Sequence, residues 1–328
     1  MTPVRHRSRQ LGLGRLLLLL WHRPIGLARQ SLRHGGPFVE SGTERQRRQM
    51  EAAAAALPPL PRRAGAPAVT LHLLTGRRFW YQTAFCLHSL ALHTDVDLAV
   101  ELYDDGTFDE ALRARAGAFL PDLRFHSAAE LQDRFNTLLP ETRFPVLHER
   151  RRNYPNIRKL IDPHLGSSGW KLIIDSDLLF FRRPDFLLRW LAAPDRPLHA
   201  VDSSESYGYS RALLQELAGA PIPPLVNVGL CGLRSDALDW NEIERWCATL
   251  HARENTNYYL EQALVAMLAA RQPCAIAPAA DYITLPSKAE VLAPRAVMHH
   301  YVDTAKRWYF RAGWRHVPAA RPTKIGAA

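Results

Sequence analysis

Several common sequence signatures are missing from this chain, and each absence counts against a class of protein. The four cysteines lie far apart with no Cys-x-x-Cys pair, which argues against a structural zinc site and against a small disulfide-rich scaffold. Their scarcity favours a reducing compartment, so we expect a cytoplasmic protein. No Gly-x-Gly-x-x-Gly follows the first predicted strand, and no Gly-x-x-x-x-Gly-Lys-Ser/Thr occurs anywhere. The sequence therefore indicates neither a dinucleotide-binding fingerprint nor a P-loop.

A hydrophobic run long enough to cross a membrane is also missing. The leucine run 16–20 is flanked by arginines and is far shorter than the ~20 residues that a spanning helix needs. A basic, leucine-rich segment of this kind, residues 15–33, is compatible with peripheral contact at the inner face of a membrane. It is equally compatible with an apolar stripe that packs on the main domain, and the sequence leaves both open.

The formal net charge of +10 is concentrated at one end of the chain. Residues 1–66 contain twelve arginines and three glutamates, so they carry nine of the ten surplus charges. The remainder is almost neutral, and we therefore expect no nucleic-acid partner. A Pro/Arg/Gly/Ala-rich stretch closes this region. We predict a basic helical extension with a proline-rich linker over 1–66 and a main folded domain over 67–328.

From Ala68 onward, predicted strands and helices alternate. The strand pattern at 69–75 is followed by a helix pattern at 80–93 and by a second strand at 96–103. A third short strand follows another helix, and this order predicts an α/β fold with a mostly parallel central sheet.

Ligands bind such a sheet at the carboxyl ends of its strands, so the loops after the first two strands are candidate nucleotide contacts. Thr75, Tyr81 and Asp104 lie there and suit a base and a ribose. The alternatives are a core role for Tyr81 at a helix start and a plain turn at Asp104. Further along, Arg158 or Lys159 faces a diphosphate, or else both belong to a solvated helix face.

The segment 171–181 reads as a buried strand that runs into two carboxylates, Asp175 and Asp177. Alternation along an extended chain places both on the same side, where an unneutralised pair would repel. A divalent cation that prefers oxygen ligands relieves that repulsion. The alternative is a pair of capping or turn carboxylates.

The order of motifs over about 68–310 resembles the metal-dependent nucleotide-sugar glycosyltransferases of the A-type (GT-A) fold, and the C-terminal stretch is similar to the glycogenin and bacterial galactosyltransferase family. That family closes with His-Phe-x-Gly-x-x-Lys-Pro-Trp. Here His300, an aromatic residue, Lys306 and a tryptophan stand in register, whereas Asp303 and Arg307 replace the glycine and the proline. Upstream, the pairs that resemble family motifs in order are Asn227 with Gly229 and Glu261 with Gln262.

The resemblance implies a Rossmann-like nucleotide-diphospho-sugar transferase fold. It also implies transfer of a sugar from a UDP-sugar, with retention of configuration, to a glycan, lipid or protein acceptor. Asp175, Asp177 and His300 would bind the metal, and the imidazole favours Mn²⁺ over Mg²⁺. His299 is the competing ligand. Adjacent strand residues point to opposite faces, so only one of the two histidines can reach the metal, and the register of the closing motif selects His300.

Within the same resemblance, Asn227 and Lys306 would bind the nucleotide sugar, with Lys306 on the diphosphate. Glu261 and Gln262 would be catalytic, beside the anomeric carbon. Two other functions stay open. A haloacid-dehalogenase-like phosphatase would use Asp175 as its nucleophile, although Leu179 stands where that motif has Thr or Val. A catalytically degenerate transferase fold would act as a binding protein.

Overall fold

The computed structural model describes residues 36–318, and its contacts divide the chain into residues 1–49 and 50–328. Helix α1 (Pro37–Ala54) begins in the first unit and ends in the second. Within the first unit, Glu44 pairs with Arg47 at 2.7 Å and with Arg48 at 3.1 Å. The segment 15–33, for which peripheral membrane contact and packing on the main domain were both left open, lies outside the described residues. Between residues 36 and 318, no helix is both long and apolar enough to span a membrane.

The second unit already begins within the region predicted to be an extension. Met50 is fully buried and Leu60 is 4% exposed, and both belong to its apolar core. The domain boundary at 66/67 stays a prediction, but residues 50–66 supply side chains to the packing of the larger unit.

A seven-stranded sheet with the order β3-β2-β1-β4-β7-β6-β8 forms the centre of the second unit. A smaller sheet has the order β5-β10-β9. The strands are β1 (Ala68–Thr75), β2 (Asp97–Asp104), β3 (Leu123–His126), β4 (Trp170–Ile174), β5 (Leu178–Phe180), β6 (Leu198–Val201), β7 (Val226–Arg234), β8 (Ala275–Ile276), β9 (Tyr282–Thr284) and β10 (Met298–His300).

Every neighbouring pair in the large sheet is parallel except the two that involve β7, which runs antiparallel to both β4 and β6. The prediction of an α/β fold with a mostly parallel central sheet is confirmed. The strand interior is apolar in the way that sheets covered by helices require: Leu71, Leu73 and Leu102 are fully buried.

Helices connect the strands and cover the sheet with two apolar clusters. After α1 they are α2 (Trp80–Leu92), α3 (Glu110–Phe119), α4 (Ala128–Leu138), α5 (Pro145–Asn153), α6 (Arg158–His164), α7 (Asp185–Ala192), α8 (Arg211–Ala218), α9 (Trp240–Glu254), α10 (Leu260–Ala269), α11 (Lys288–Leu292) and α12 (Lys306–Arg311). Ser127 and Glu130 form a reciprocal capping box at the start of α4.

The small sheet brings the C-terminal part of the chain to the end of β4. Strand β10 pairs antiparallel with β5, and this register sets His300 opposite Leu178. The backbone N–H of Tyr301 also donates to the carbonyl of Asp177 at 3.1 Å. Because β5 begins directly after the two aspartates, this pairing fixes the distance between them and the end of β10.

Candidate metal and nucleotide site

Two carboxylates and one imidazole converge where β4 ends. Nε2 of His300 lies 3.3 Å from Oδ1 of Asp177 and 3.7 Å from Oδ2 of Asp175. One ligand atom from each of the three side chains lies within 4.8 Å of the others. Within residues 36–318, no other group of three His, Cys, Asp or Glu side chains is arranged in this way.

The orientation of His300 is fixed by Asn227 on β7. Oδ1 of Asn227 accepts from the backbone N–H of Gly229 at 3.0 Å, which identifies that atom as the amide oxygen. The same oxygen lies 3.0 Å from Nδ1 of His300. Because an amide oxygen only accepts, Nδ1 carries the proton and donates. In the neutral imidazole, Nε2 therefore directs its lone pair toward the two carboxylates, an arrangement that a cation stabilises.

Gly229 leaves the space that the imidazole occupies. A Cβ at this position would lie 2.2 Å from Cε1 of His300 and 2.6 Å from its Nδ1. Any larger residue in β7 would displace the ring or the strand. The glycine is thus required by close approach rather than by its backbone angles.

The competing histidine points away from the aspartates. His299 is fully buried, with Nε2 at 3.1 Å from Oε1 of Glu290 and Nδ1 at 3.0 Å from the hydroxyl of Tyr301. Of the two adjacent histidines, only His300 reaches the carboxylate pair, as strand alternation requires.

Each aspartate has one carboxylate oxygen near Nε2 of His300, its inner oxygen, and a second, outer oxygen that contacts a lysine. Nζ of Lys159 lies 2.7 Å from Oδ1 of Asp175, and Nζ of Lys306 lies 2.5 Å from Oδ2 of Asp177. Burial would raise the pKa of Asp177, but the ammonium group of Lys306 outweighs it and holds that pKa well below the usual range. Burial likewise opposes the charge on Lys159, yet Asp175 and Glu261 raise its pKa above the ordinary value.

The loop that delivers Lys306 turns at Asp303. Its φ of 43° lies in the left-handed region that glycine adopts without strain and that other residues adopt at a cost of about 1 kcal/mol. The absence of glycine here therefore does not prevent Lys306 from reaching Asp177.

The donor set fits a divalent cation. Oδ1 of Asp177 is buried and has no hydrogen-bond partner among the described residues. A buried carboxylate oxygen without a partner is costly, and this one lies 3.3 Å from Nε2 of His300. Two carboxylate oxygens and one imidazole nitrogen suit Mn²⁺ or another borderline cation.

Glu261 and Gln262 begin helix α10 beside this cluster. Glu261 is buried, and Oε1 lies 3.6 Å from Nζ of Lys159. Burial raises the pKa of Glu261 to about 7, with Lys159 opposing the shift and Asp175 adding to it. Nε2 of Gln262 donates to Oδ2 of Asp202 at 2.7 Å and to the carbonyl of Val226 at 2.9 Å. Gln262 thereby ties α10 to the ends of β6 and β7.

Tyr154 was not among the predicted site residues, yet its hydroxyl holds the backbone at the start of α10. Its hydroxyl donates to the carbonyl of Tyr258 at 2.6 Å and accepts from the N–H of Glu261 at 3.3 Å. Tyr258 is 71% exposed and its ring packs edge-on against that of Tyr259. Nothing in the sequence pattern distinguishes Tyr154 from its neighbours, because its role depends on a contact with a segment about a hundred residues away.

Three of the predicted nucleotide contacts lie at the ends of β1 and β2 and at the start of α2: Thr75 and Asp104 close the two strands, and Tyr81 is the second residue of the helix. Thr75 and Tyr81 are buried: Oγ1 of Thr75 lies 2.7 Å from Oγ1 of Thr83, and the hydroxyl of Tyr81 accepts from Nε2 of Gln82 at 3.0 Å. Oδ1 of Asp104 accepts from three backbone N–H groups of the turn that follows it. Their predicted role in nucleotide binding stays a prediction.

Arg158 and Lys159, the first two residues of α6, point toward different partners. Arg158 donates to the carbonyls of Asp104 and Asp105 at 2.7 and 2.9 Å, and to Oδ2 of Asp162 at 3.1 Å. It therefore braces the loop after β2, whereas its neighbour Lys159 reaches Asp175. Of the two residues proposed for a diphosphate, Lys159 is the one that stands beside the carboxylates.

No protein-family profile and no curated protein sequence matches the chain. Solved structures similar to it include mouse xyloside xylosyltransferase 1 in its apo form, at 13% identity and a TM-score of 0.48 over 71% of this chain and 97% of that one. The galactosyltransferase LgtC in complex with donor and acceptor sugar analogues is similar at 14% identity and a TM-score of 0.48, over 71% and 87%. The glycosyltransferase GlyE of Streptococcus pneumoniae TIGR4 is similar at 11% identity and a TM-score of 0.44, over 76% and 62%. At these identities a likeness extends no further than the fold, so the function has to be inferred from the side chains of the site.

Proposed function

We propose that the chain is a metal-dependent glycosyltransferase that moves a sugar from a UDP-sugar to a hydroxyl group of an acceptor. The observation that supports this proposal is the convergence of Asp175, Asp177 and His300 with two lysines where β4 ends. Such a site offers oxygen and nitrogen ligands to a cation and ammonium groups to phosphate oxygens, which together suit a nucleotide diphosphate.

Asp175, Asp177 and His300 would hold Mn²⁺ or Mg²⁺. The cation would supply Lewis-acid stabilisation of the charge that develops on the diphosphate. Lys306 has a side chain one-third exposed and lies at the rim of the site, where it can donate to phosphate oxygens. Asn227 holds His300 in the tautomer that leaves Nε2 available.

During transfer, the bond between the sugar C1 and the diphosphate oxygen would break and the acceptor oxygen would form a new bond to C1. The proton of the acceptor hydroxyl would pass to the departing diphosphate, or to a carboxylate that acts as a base. Glu261 would stabilise the positive charge at the anomeric carbon, or it would accept the proton of the acceptor hydroxyl. We propose the first role together with retention of configuration. The anomeric configuration of the product, read by proton NMR, distinguishes the two roles.

The test is release of UDP from a panel of UDP-sugars with Mn²⁺, with and without candidate glycan acceptors. Asp177→Asn and His300→Ala should each remove metal-dependent turnover, because each deletes one ligand. His299→Ala is the matched control. It should melt at a lower temperature, having lost its contacts with Glu290 and Tyr301, but it should keep turnover below that temperature. Turnover that survives in both ligand variants would refute the proposal.

Two further measurements address the other functions. A phosphatase that used Asp175 as its nucleophile would hydrolyse p-nitrophenyl phosphate, and Asp175→Asn would abolish that activity. A binding protein would bind Mn²⁺ and UDP without releasing UDP from any sugar nucleotide.

A further inference from the structure

The two aspartates divide their oxygens between lysines and the candidate metal position. Oδ1 of Asp175 and Oδ2 of Asp177 each accept from an ammonium group, those of Lys159 and Lys306. The other oxygen of each carboxylate faces Nε2 of His300. A cation between the inner oxygens would leave both lysine contacts in place, so the metal and the lysines do not compete for the same atoms.

The two lysines already offset the charges of the two aspartates without a cation, and Glu261 adds a partly protonated carboxyl beside Lys159. Lysines are protonated at neutral pH, so the two ammonium groups offset the two carboxylates. Lys159 has little room to move away: its side chain is 13% exposed and Nζ lies between Asp175 and Glu261, at 2.7 and 3.6 Å. Lys306 is held by Asp177 and lies 3.4 Å from Oε1 of Gln82.

A divalent ion that enters alone therefore meets two fixed positive charges a few ångströms away. For each lysine, a separation of about 5 Å corresponds to roughly tenfold weaker binding of the ion, even with the dielectric constant of bulk water. A diphosphate group carries at least two negative charges and reverses this balance, since it is attracted by the ion and by both ammonium groups.

We propose that Lys159 and Lys306 make cation binding conditional on a nucleoside diphosphate, so that the metal and the nucleotide enter as a coupled pair. This inference rests on the proposed function and adds to it a regulation of the same site. Coupling of binding is reciprocal, so the factor by which the nucleotide strengthens metal binding equals the factor by which the metal strengthens nucleotide binding.

The experiment measures Mn²⁺ binding by isothermal titration calorimetry on the full chain, alone and with saturating UDP, and UDP binding with and without Mn²⁺. In the wild type, UDP should strengthen Mn²⁺ binding about a hundredfold. Since UDP also contributes phosphate oxygens to the ion, coupling in the wild type does not by itself identify the lysines. The decisive measurement uses Lys306→Met and Lys159→Met, which remove the charge and keep a long unbranched side chain.

Each lysine variant should bind Mn²⁺ alone about tenfold more tightly than the wild type and should bind UDP in the presence of Mn²⁺ more weakly. Lys288→Met is the matched control, because Lys288 is exposed and packs over the ring of Trp308. It should change neither constant. Melting temperatures verify folding, and Lys306→Met is the safer variant because its side chain is one-third exposed.

Weaker or unchanged binding of Mn²⁺ alone in Lys306→Met would overturn the coupling role while leaving the metal site intact. A wild type that binds no Mn²⁺ even with UDP would overturn both this inference and the proposed function. Tighter binding of Mn²⁺ together with weaker binding of UDP in the same variant would support the inference. Replacement of a lysine that serves only folding would not strengthen the binding of either ligand.

Discussion

Replacement of Glu261 by Gln should make the free energy of unfolding less dependent on pH. The carboxyl is buried and its pKa is raised to about 7 from an ordinary value of 4.5. A raised carboxyl pKa means that the folded state binds the proton more tightly than the unfolded state does. The resulting stabilisation is fully present below pH 4.5 and is lost as the pH rises from there to 7.

The magnitude follows from the shift. Each pKa unit corresponds to about 1.4 kcal/mol, so the ionised Glu261 destabilises the folded chain by about 3 kcal/mol above pH 7. Between pH 5 and pH 8 the wild type should lose about 2.5 kcal/mol through this one group. Glutamine resembles the protonated acid, so Glu261→Gln should become more stable relative to the wild type by that amount over the same range.

The assay is urea unfolding of both proteins at several pH values from 5 to 8, in buffer with a chelator. Glu290→Gln is a control of opposite sign, since burial would raise the pKa of Glu290 but the N–H groups of Arg295 and Ala296 and the ring of His299 lower it to about 2. That variant should be destabilised almost equally at pH 5 and pH 8. A constant difference between Glu261→Gln and the wild type across this range would refute the assigned environment of Glu261.

Three further predictions concern packing and substrate contact. Gly229→Ala should weaken Mn²⁺ binding in the presence of UDP at least tenfold, measured by calorimetry, because its methyl group would occupy the position of the His300 ring; unchanged binding would contradict this geometry. A chain that starts at Met50 should melt cooperatively at a higher temperature than one that starts at Pro67, which lacks buried side chains of the 50–66 segment; equal melting temperatures would show that this segment does not support the core. Tyr258→Ala should raise the acceptor KM without changing the affinity for UDP, because the exposed ring lies beside the helix that carries Glu261; a change confined to UDP binding would place the ring on the donor side.

Much of the fold is encoded in local patterns. Strands β1 and β2 lie where β-branched and leucine-rich runs predicted them, and the helix between them lies where the apolar spacing changed. The direction of β7 was not predictable in this way. A strand buried on both faces has the same apolar composition whichever way it runs, so only its pairing with β4 and β6 decides it.

The candidate site shows the same division. Asp175 and Asp177 were identifiable because a buried strand that ends in two carboxylates demands a counter-charge. The resemblance selected His300 over its competitor His299, and the pairing of β10 with β5 turns His300 toward the aspartates.

What the sequence by itself determined is the sheet and the edge at which chemistry-bearing side chains collect, because hydrophobic periodicity and strand ends are properties of neighbouring residues. Only the tertiary structure decided which of two adjacent basic side chains joins the site. Arg158 and Lys159 follow one another at the start of a helix, where successive side chains point about 100° apart. The packing of α6 sends Arg158 to the carbonyls after β2 and Lys159 to Asp175, and that choice depends on elements far apart in the chain.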